Sequence, residues 1–321
     1  MNAKKILSYA AKLTVTILVF WWIDISIGFS NITDTLKKAN FLWFAAAIFV
    51  HVISIFIGAW QWGIILKNRG ACLSRFEILK IYYTGMFFNN FILGTIAGDS
   101  FKIAILHKKN RAKPAFAATF LDRFAGFALL SVFAIVGSII INAINFGSNK
   151  DLRITILLLI FFSFILAIIF ILIFSKSAQN AFSKTLLKFP NTNVAERIKN
   201  IVSSVYIDRK NKLDAKMLPQ IFSLSLLIQG LRISTHIFCA VAVGIFTFNT
   251  IHYYFVIIPI TAILMMVPLP FGVIPTIAGA IFFAAGFSVG DATIMEFLAS
   301  VAGIIGSLAG AVFLFIDRKA K

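Results

Sequence analysis

Apolar runs of about 20 residues, the length that crosses a bilayer as a helix, recur at 7–27, 41–66, 115–141, 154–174, 218–248 and 294–316. With 60% of its 321 residues hydrophobic and only 13% charged, such a chain cannot cover its surface with polar groups as a soluble domain does. In lipid every backbone group must find a partner within the protein, which leaves helices or closed barrels. The expected fold is therefore all-α: a polytopic membrane helical bundle of about six to eight transmembrane helices, read as one integral membrane domain over 1–321. The less regular stretch 253–286 has room for two further crossings or a re-entrant pair.

The N-terminus has a basic start and an apolar run, but it continues through Trp21, Trp22 and Ile23 with no small-residue cleavage site, so it reads as a retained first span. Cys72 and Cys239 have no metal-ligand or redox spacing and give no reason to expect a disulfide. The net charge of +18 invites a nucleic-acid partner, and its distribution excludes one. Most Lys and Arg fall in alternate loops, at 4–12, 67–80, 102–113, 176–216 and 318–321, while the opposite loops hold Lys37, Lys38, Lys150 and Arg153. The positive-inside rule then places both termini in the cytoplasm and the protein, multi-pass, in the cell (inner) membrane. Its excess charge faces anionic lipid headgroups.

Basic loops on both sides of 81–101 belong to one face of the membrane, so this segment is expected to enter and return. Gly94 and Gly98 supply the freedom to reverse. A second broken segment, 267–279, crowds Pro268, Pro270, Gly272 and Pro275, and its Thr276-Ile277-Ala278-Gly279 repeats Thr95-Ile96-Ala97-Gly98. Broken segments in corresponding positions of two halves point to a transport site at a repeat interface. The loop 175–216 reads as cytoplasmic and amphipathic, with Ile198, Ile201, Val202 and Val205 at helical spacing.

Polar residues at membrane depth mark candidate sites. Ser225, Gln229, Arg232 and His236 are spaced by four, three and four, which puts them on one helix face. The Arg232 guanidinium calls for a carboxylate or phosphate, and Asp99, Asp122 and Glu296 are candidate partners, Asp99 first and Glu296 next. Asn89, Asn90, Asp99, Lys102, Asp122 and Arg123 break an otherwise apolar stretch. Asp99 and Lys102 can pair at i,i+3, whereas Asp122 and Arg123 point about 100° apart, one towards the re-entrant segment and the other towards a neighbouring helix. His51, Ser54, Gly58 and Gln61 form a weaker stripe, with Trp60 and Trp62 expected to anchor in the interface. Glu296, Ser300, Gly303, Ser307 and Gly310 read mainly as close-packing surface. No HExxH, GxSxG, Walker loop or Cys cluster is present, so no enzymatic activity, metal or cofactor is expected.

Trp60-Gln61-Trp62, Asn89-Asn90, Leu93-Gly94, Ala97-Gly98-Asp99, Lys102 and Asp122-Arg123 together resemble the lysylphosphatidylglycerol synthase transmembrane-region family of flippase-like proteins. Leu93 stands where that family has Pro, Ala97 where it has Gly, and Lys102 where it has Arg; the second broken segment lacks the family's Arg-Glu pair. The resemblance implies a domain that moves aminoacylated phospholipids or polyprenyl-phosphate-linked sugars between leaflets, with the phosphate headgroup as the bound moiety. Within 321 residues no aminoacyl-transferase segment follows, so lipid handling rather than lipid synthesis is expected. Two other readings stand beside it: a non-catalytic accessory subunit assembled with a lipid-modifying enzyme or with itself, and a small-anion transporter. Single cysteines at Arg69 and Asn110, in a Cys-free background, are expected to be equally shielded from an impermeant thiol reagent added outside; labelling of only one removes the re-entrant model.

Overall fold

The computed structural model describes residues 37–91, 95–144, 212–265 and 273–319, together with Asp34, most of 161–186 and parts of 196–207. The expected first span, the hinge residues Gly94, Pro268, Pro270 and Gly272, and part of the loop helix at 198–205 lie outside the described residues. Among the described residues the chain is helical, without strands. The helices are α1 (Phe41–Asn68), α2 (Arg75–Phe91), α3 (Thr95–His107), α4 (Ala112–Ile144), α5 (Lys176–Leu186), α6 (Lys212–Val243), α7 (Ile251–Leu264), α8 (Val273–Ala284), α9 (Val289–Ser307) and α10 (Ala309–Lys319).

Four stretches among the described residues are long and apolar enough to cross a membrane: Phe41–Asn68, Ala112–Ile141, Asp214–Val243 and Val289–Leu314. α7 and α8 are shorter, at 14 and 12 residues; at 1.5 Å per residue neither reaches the ~30 Å of a hydrocarbon core. The 218–248 run ends earlier than its hydropathy predicts. Gly244, at φ 84, occupies the left-handed position after α6, and Ile245 N–H closes back on Ala240 O at 3.0 Å, which satisfies a last-turn carbonyl. Gly70 ends α1 in the same way, with Ala71 N–H on Leu66 O.

α1 and α6 lie antiparallel along their length. Asn40 N–H bonds Ala242 O at 2.8 Å, Ser225 Oγ donates to Gln61 Oε1 at 2.9 Å, and Arg69 reaches Tyr206 O and Asp214 at the far end. On each of these two helices the chain hangs a short helical pair followed by a long helix. α2 and α3 return the chain to the basic end, where Lys109 Nζ meets Glu77 Oε1 at 2.8 Å and Arg111 donates to Cys72 O at 2.6 Å. The bond from Lys109, with help from Ser74, holds the Glu77 carboxyl down at about 2, so this strap is lost only as the pH falls through that value. α7 and α8 follow α6 at the opposite end of the bundle.

The packing depends on glycine where helices touch. A Cβ on Gly98 would strike the Gly85 carbonyl oxygen, and one on Gly279 would strike the Thr293 side chain. The two copies of the Thr-Ile-Ala-Gly tetrapeptide thus end on close-approach glycines. Gly310 packs on the Tyr83 backbone and Gly306 on His51, which makes this stripe a packing surface. Gly98→Ala is expected to cost about 1–3 kcal/mol through overpacking. Gly230→Ala, on the same helix as Arg232 but with open space around it, should leave stability unchanged or raise it by up to ~1 kcal/mol. Thermal unfolding in detergent separates the two.

Candidate functional site

The polar residues of the apolar helices converge midway along the bundle, where α1, α2, α3, α4 and α6 meet. Asp99, in the first turns of α3, accepts two bonds from Arg123, from Nε at 2.9 Å and Nη2 at 3.1 Å, and pairs with Lys102 at 2.8 Å. Lys102 is 1% exposed. Its ammonium lies 4.8 Å from the Tyr82 ring centroid and 5.8 Å from that of Trp62, a cation over two aromatic faces. The Asp99 carboxylate thus holds both neighbouring cations, and the fork geometry of Arg123 fixes α4 against the hairpin.

One residue earlier on α4, Asp122 faces the other way, as a 100° step requires. It accepts from Gln61 Nε2 at 2.9 Å, and Gln61 Oε1 accepts from Ser225. This chain of buried bonds links α4, α1 and α6. Trp62 donates to Thr119 Oγ1 at 3.1 Å and is fully buried. The expectation that both tryptophans anchor in the interface is therefore corrected for Trp62, while Trp60 is exposed.

Arg232 does not take the partner expected of it. Asp99 is occupied by Arg123 and Lys102, and Glu296 pairs with His236, Oε1 to Nδ1 at 2.9 Å. Among the described residues no carboxylate lies at ion-pair distance from Arg232; the residue of α2 that shares its cavity is Tyr82, which brings a phenolic hydroxyl. Gly58 leaves room for that hydroxyl, and Gly126 leaves room for the Gln229 amide. Arg232, Gln229, Tyr82, Gln61, Asp122 and Arg123 line a cavity of about 80 Å³, to which Met265, just beyond α7, also contributes.

Of the residues singled out from sequence, Asp99, Lys102, Asp122, Arg123, Gln229 and Arg232 are thus brought together. Three stand apart. Asn89 Oδ1 accepts from Gly98 N–H at 2.7 Å and so satisfies a free donor at the start of α3. Asn90 donates to Gly303 O and Ser307 Oγ, both at 2.9 Å, and ties α2 to α9. His236 lies with Glu296 beside His51. Tyr82 was not among the candidates; it sits in an apolar-aromatic run with no polar spacing to flag it. Gln61 and Ser225 were visible as members of polar stripes.

The fold and the buried polar cluster together define a multi-pass integral membrane protein with ionisable groups in its interior. The family model for the lysylphosphatidylglycerol synthase TM region matches residues 9–310, nearly the whole chain, and the chain belongs to that family. Among curated proteins and among solved structures nothing matches it.

Asp99→Asn leaves Lys102 buried and Arg123 half-buried without the carboxylate that pairs with both and is expected to cost on the order of 3 kcal/mol. Arg232→Gln breaks no ion pair and should cost clearly less. Equal losses of detergent Tm for the two variants would show that Arg232 has a countercharge after all.

Proposed function

We propose that the protein is a lipid translocase of the cell (inner) membrane, and that the central cavity binds the phosphate of an anionic or aminoacylated phospholipid or of a polyprenyl-phosphate-linked lipid. The observation that carries this reading is Arg232: a permanently charged guanidinium in mid-bundle, without a carboxylate at ion-pair distance among the described residues, facing a cavity it shares with Gln229 and Arg123. With the two carboxyls of Asp99 and Asp122 set against Lys102, Arg123 and Arg232, the cluster has an excess of cationic side chains, which a phosphate would offset. Charge-assisted bonds from guanidinium and amide replace the hydration a headgroup loses on entry.

At about 80 Å³ the cavity is well below the ~300–1,000 Å³ of ligand-holding sites, so cargo entry requires the α2–α3 hairpin or the end of α7 to move. The tails stay in lipid. In this reading Lys102, shut beneath Tyr82 and Trp62, positions Asp99 rather than touching cargo, and α2–α3 is a re-entrant hairpin whose glycine contact permits the motion. No bond is broken and no cofactor is used. The small cavity also favours a second reading, in which the cargo is a small free anion.

Purified protein in liposomes should expose a fluorescent anionic phospholipid, or a polyprenyl-phosphate sugar, to an impermeant quencher faster than empty liposomes do. Arg232→Gln should slow this about tenfold or more, as loss of one charged hydrogen bond of ~1.5–3 kcal/mol implies, and Lys38→Gln should not. Uptake of inorganic phosphate without lipid exchange would favour the small-anion reading. Exchange unchanged for both lipids under every ion gradient would leave the accessory-subunit reading.

A further inference from the structure

A second and larger hollow lies on the outer side of α1, away from the polar cluster. It is a groove of about 790 Å³ between α1 and the start of α2, floored by Phe56, Trp60, Ile64 and Leu79, with Lys67 and Arg75 at its mouth. That volume is within the range of built small-molecule sites, ~300–1,000 Å³. Phe56 and Trp60 are 51% and 59% exposed, so the floor faces outward from the bundle.

The cations at the mouth decide what the groove fits. Lys67 and Arg75 are both exposed, and among the described residues neither has an acidic partner. The nearby carboxylate, Glu77, is taken by Lys109 and by Ser74. Trp60 lies seven residues from Lys67 on α1, about 10 Å along the axis, where the upper half of an acyl chain falls if its phosphate sits at Lys67. An apolar trough crowned by two unpaired cations, in a protein surrounded by lipid, matches an amphiphile with a negative head.

We propose that the α1–α2 groove is a binding site for an anionic glycerophospholipid, its phosphate held by Lys67 and Arg75 and one acyl chain laid along Phe56, Trp60 and Ile64. The site is separate from the central cavity and does not depend on transport. A lipid resident there covers the joint between α1 and the hairpin, at the end where the hairpin is strapped by Lys109 and Glu77.

The test uses the full chain in phosphatidylcholine nanodiscs titrated with phosphatidylglycerol or phosphatidylcholine brominated on the acyl chain. Trp60 fluorescence is read as the difference between wild type and Trp60→Phe, since the chain holds five tryptophans. Brominated phosphatidylglycerol should half-quench Trp60 at a mole fraction at least five-fold lower than brominated phosphatidylcholine. Lys67→Gln/Arg75→Gln, two exposed positions, should abolish that preference, and Arg232→Gln should leave it intact. Equal quenching by both lipids, or a preference that survives the double variant, overturns the site. Absence of quenching by either lipid overturns it too, and would show the groove covered by protein, a second copy or another segment of this chain.

Discussion

The Asp99 carboxylate is the constraint on which the rest of the site depends. Arg123 and Lys102 both sit where water is scarce, and a buried cation without a counterion is more costly than most single contacts can offset. By accepting both, Asp99 locks α3 to α4. That lock sets Lys102 on Tyr82 and Trp62 and turns Asp122, one residue before Arg123, towards Gln61. Arg232 is then left without a carboxylate among the described residues. The uncompensated charge is a consequence of how the other charges are shared.

The arrangement has a two-fold logic. α1 and α6 run antiparallel, and each is followed by a pair of short helices and a long one. Because the two long helices point in opposite directions, the short pairs attach at opposite ends of the bundle, and the polar cavity lies where the halves meet. Interrupted helices at a repeat interface are the usual place for a substrate site in membrane transporters, because a broken backbone is tolerated only where protein or a cavity surrounds it. The halves are not chemically equal. The first carries the Asp99–Arg123–Lys102 network, and the second offers the His236–Glu296 pair.

Much of this was legible in the sequence. The spans at 41–66 and 115–141 emerge as α1, two residues longer at its C-terminal end, and α4, three residues longer at each end, since a 20-residue apolar run has little choice but a helix in lipid. The pairing of Asp99 with Lys102 follows from i,i+3 spacing and the divergence of Asp122 and Arg123 from the helical step. The i,i+3,i+4 stripe of α6 also brought Ser225, Gln229 and Arg232 to one side. Spacing along one helix says nothing of what stands opposite, however. The partner of Arg232 was misjudged, because a carboxylate's availability depends on every other cation within reach of it.

Composition and periodicity by themselves determined that the chain is a helical membrane bundle, which residues stand at membrane depth, and which of them share a helix face; these follow from local geometry and the absence of water. Tertiary structure alone decided which cation each carboxylate takes, that Trp62 is core and Trp60 surface, that Tyr82 belongs to the site, and that Asn89 and Asn90 serve the backbone and a neighbouring helix. Those outcomes turn on contacts between segments up to 217 positions apart, set by how close glycine allows the helices to come.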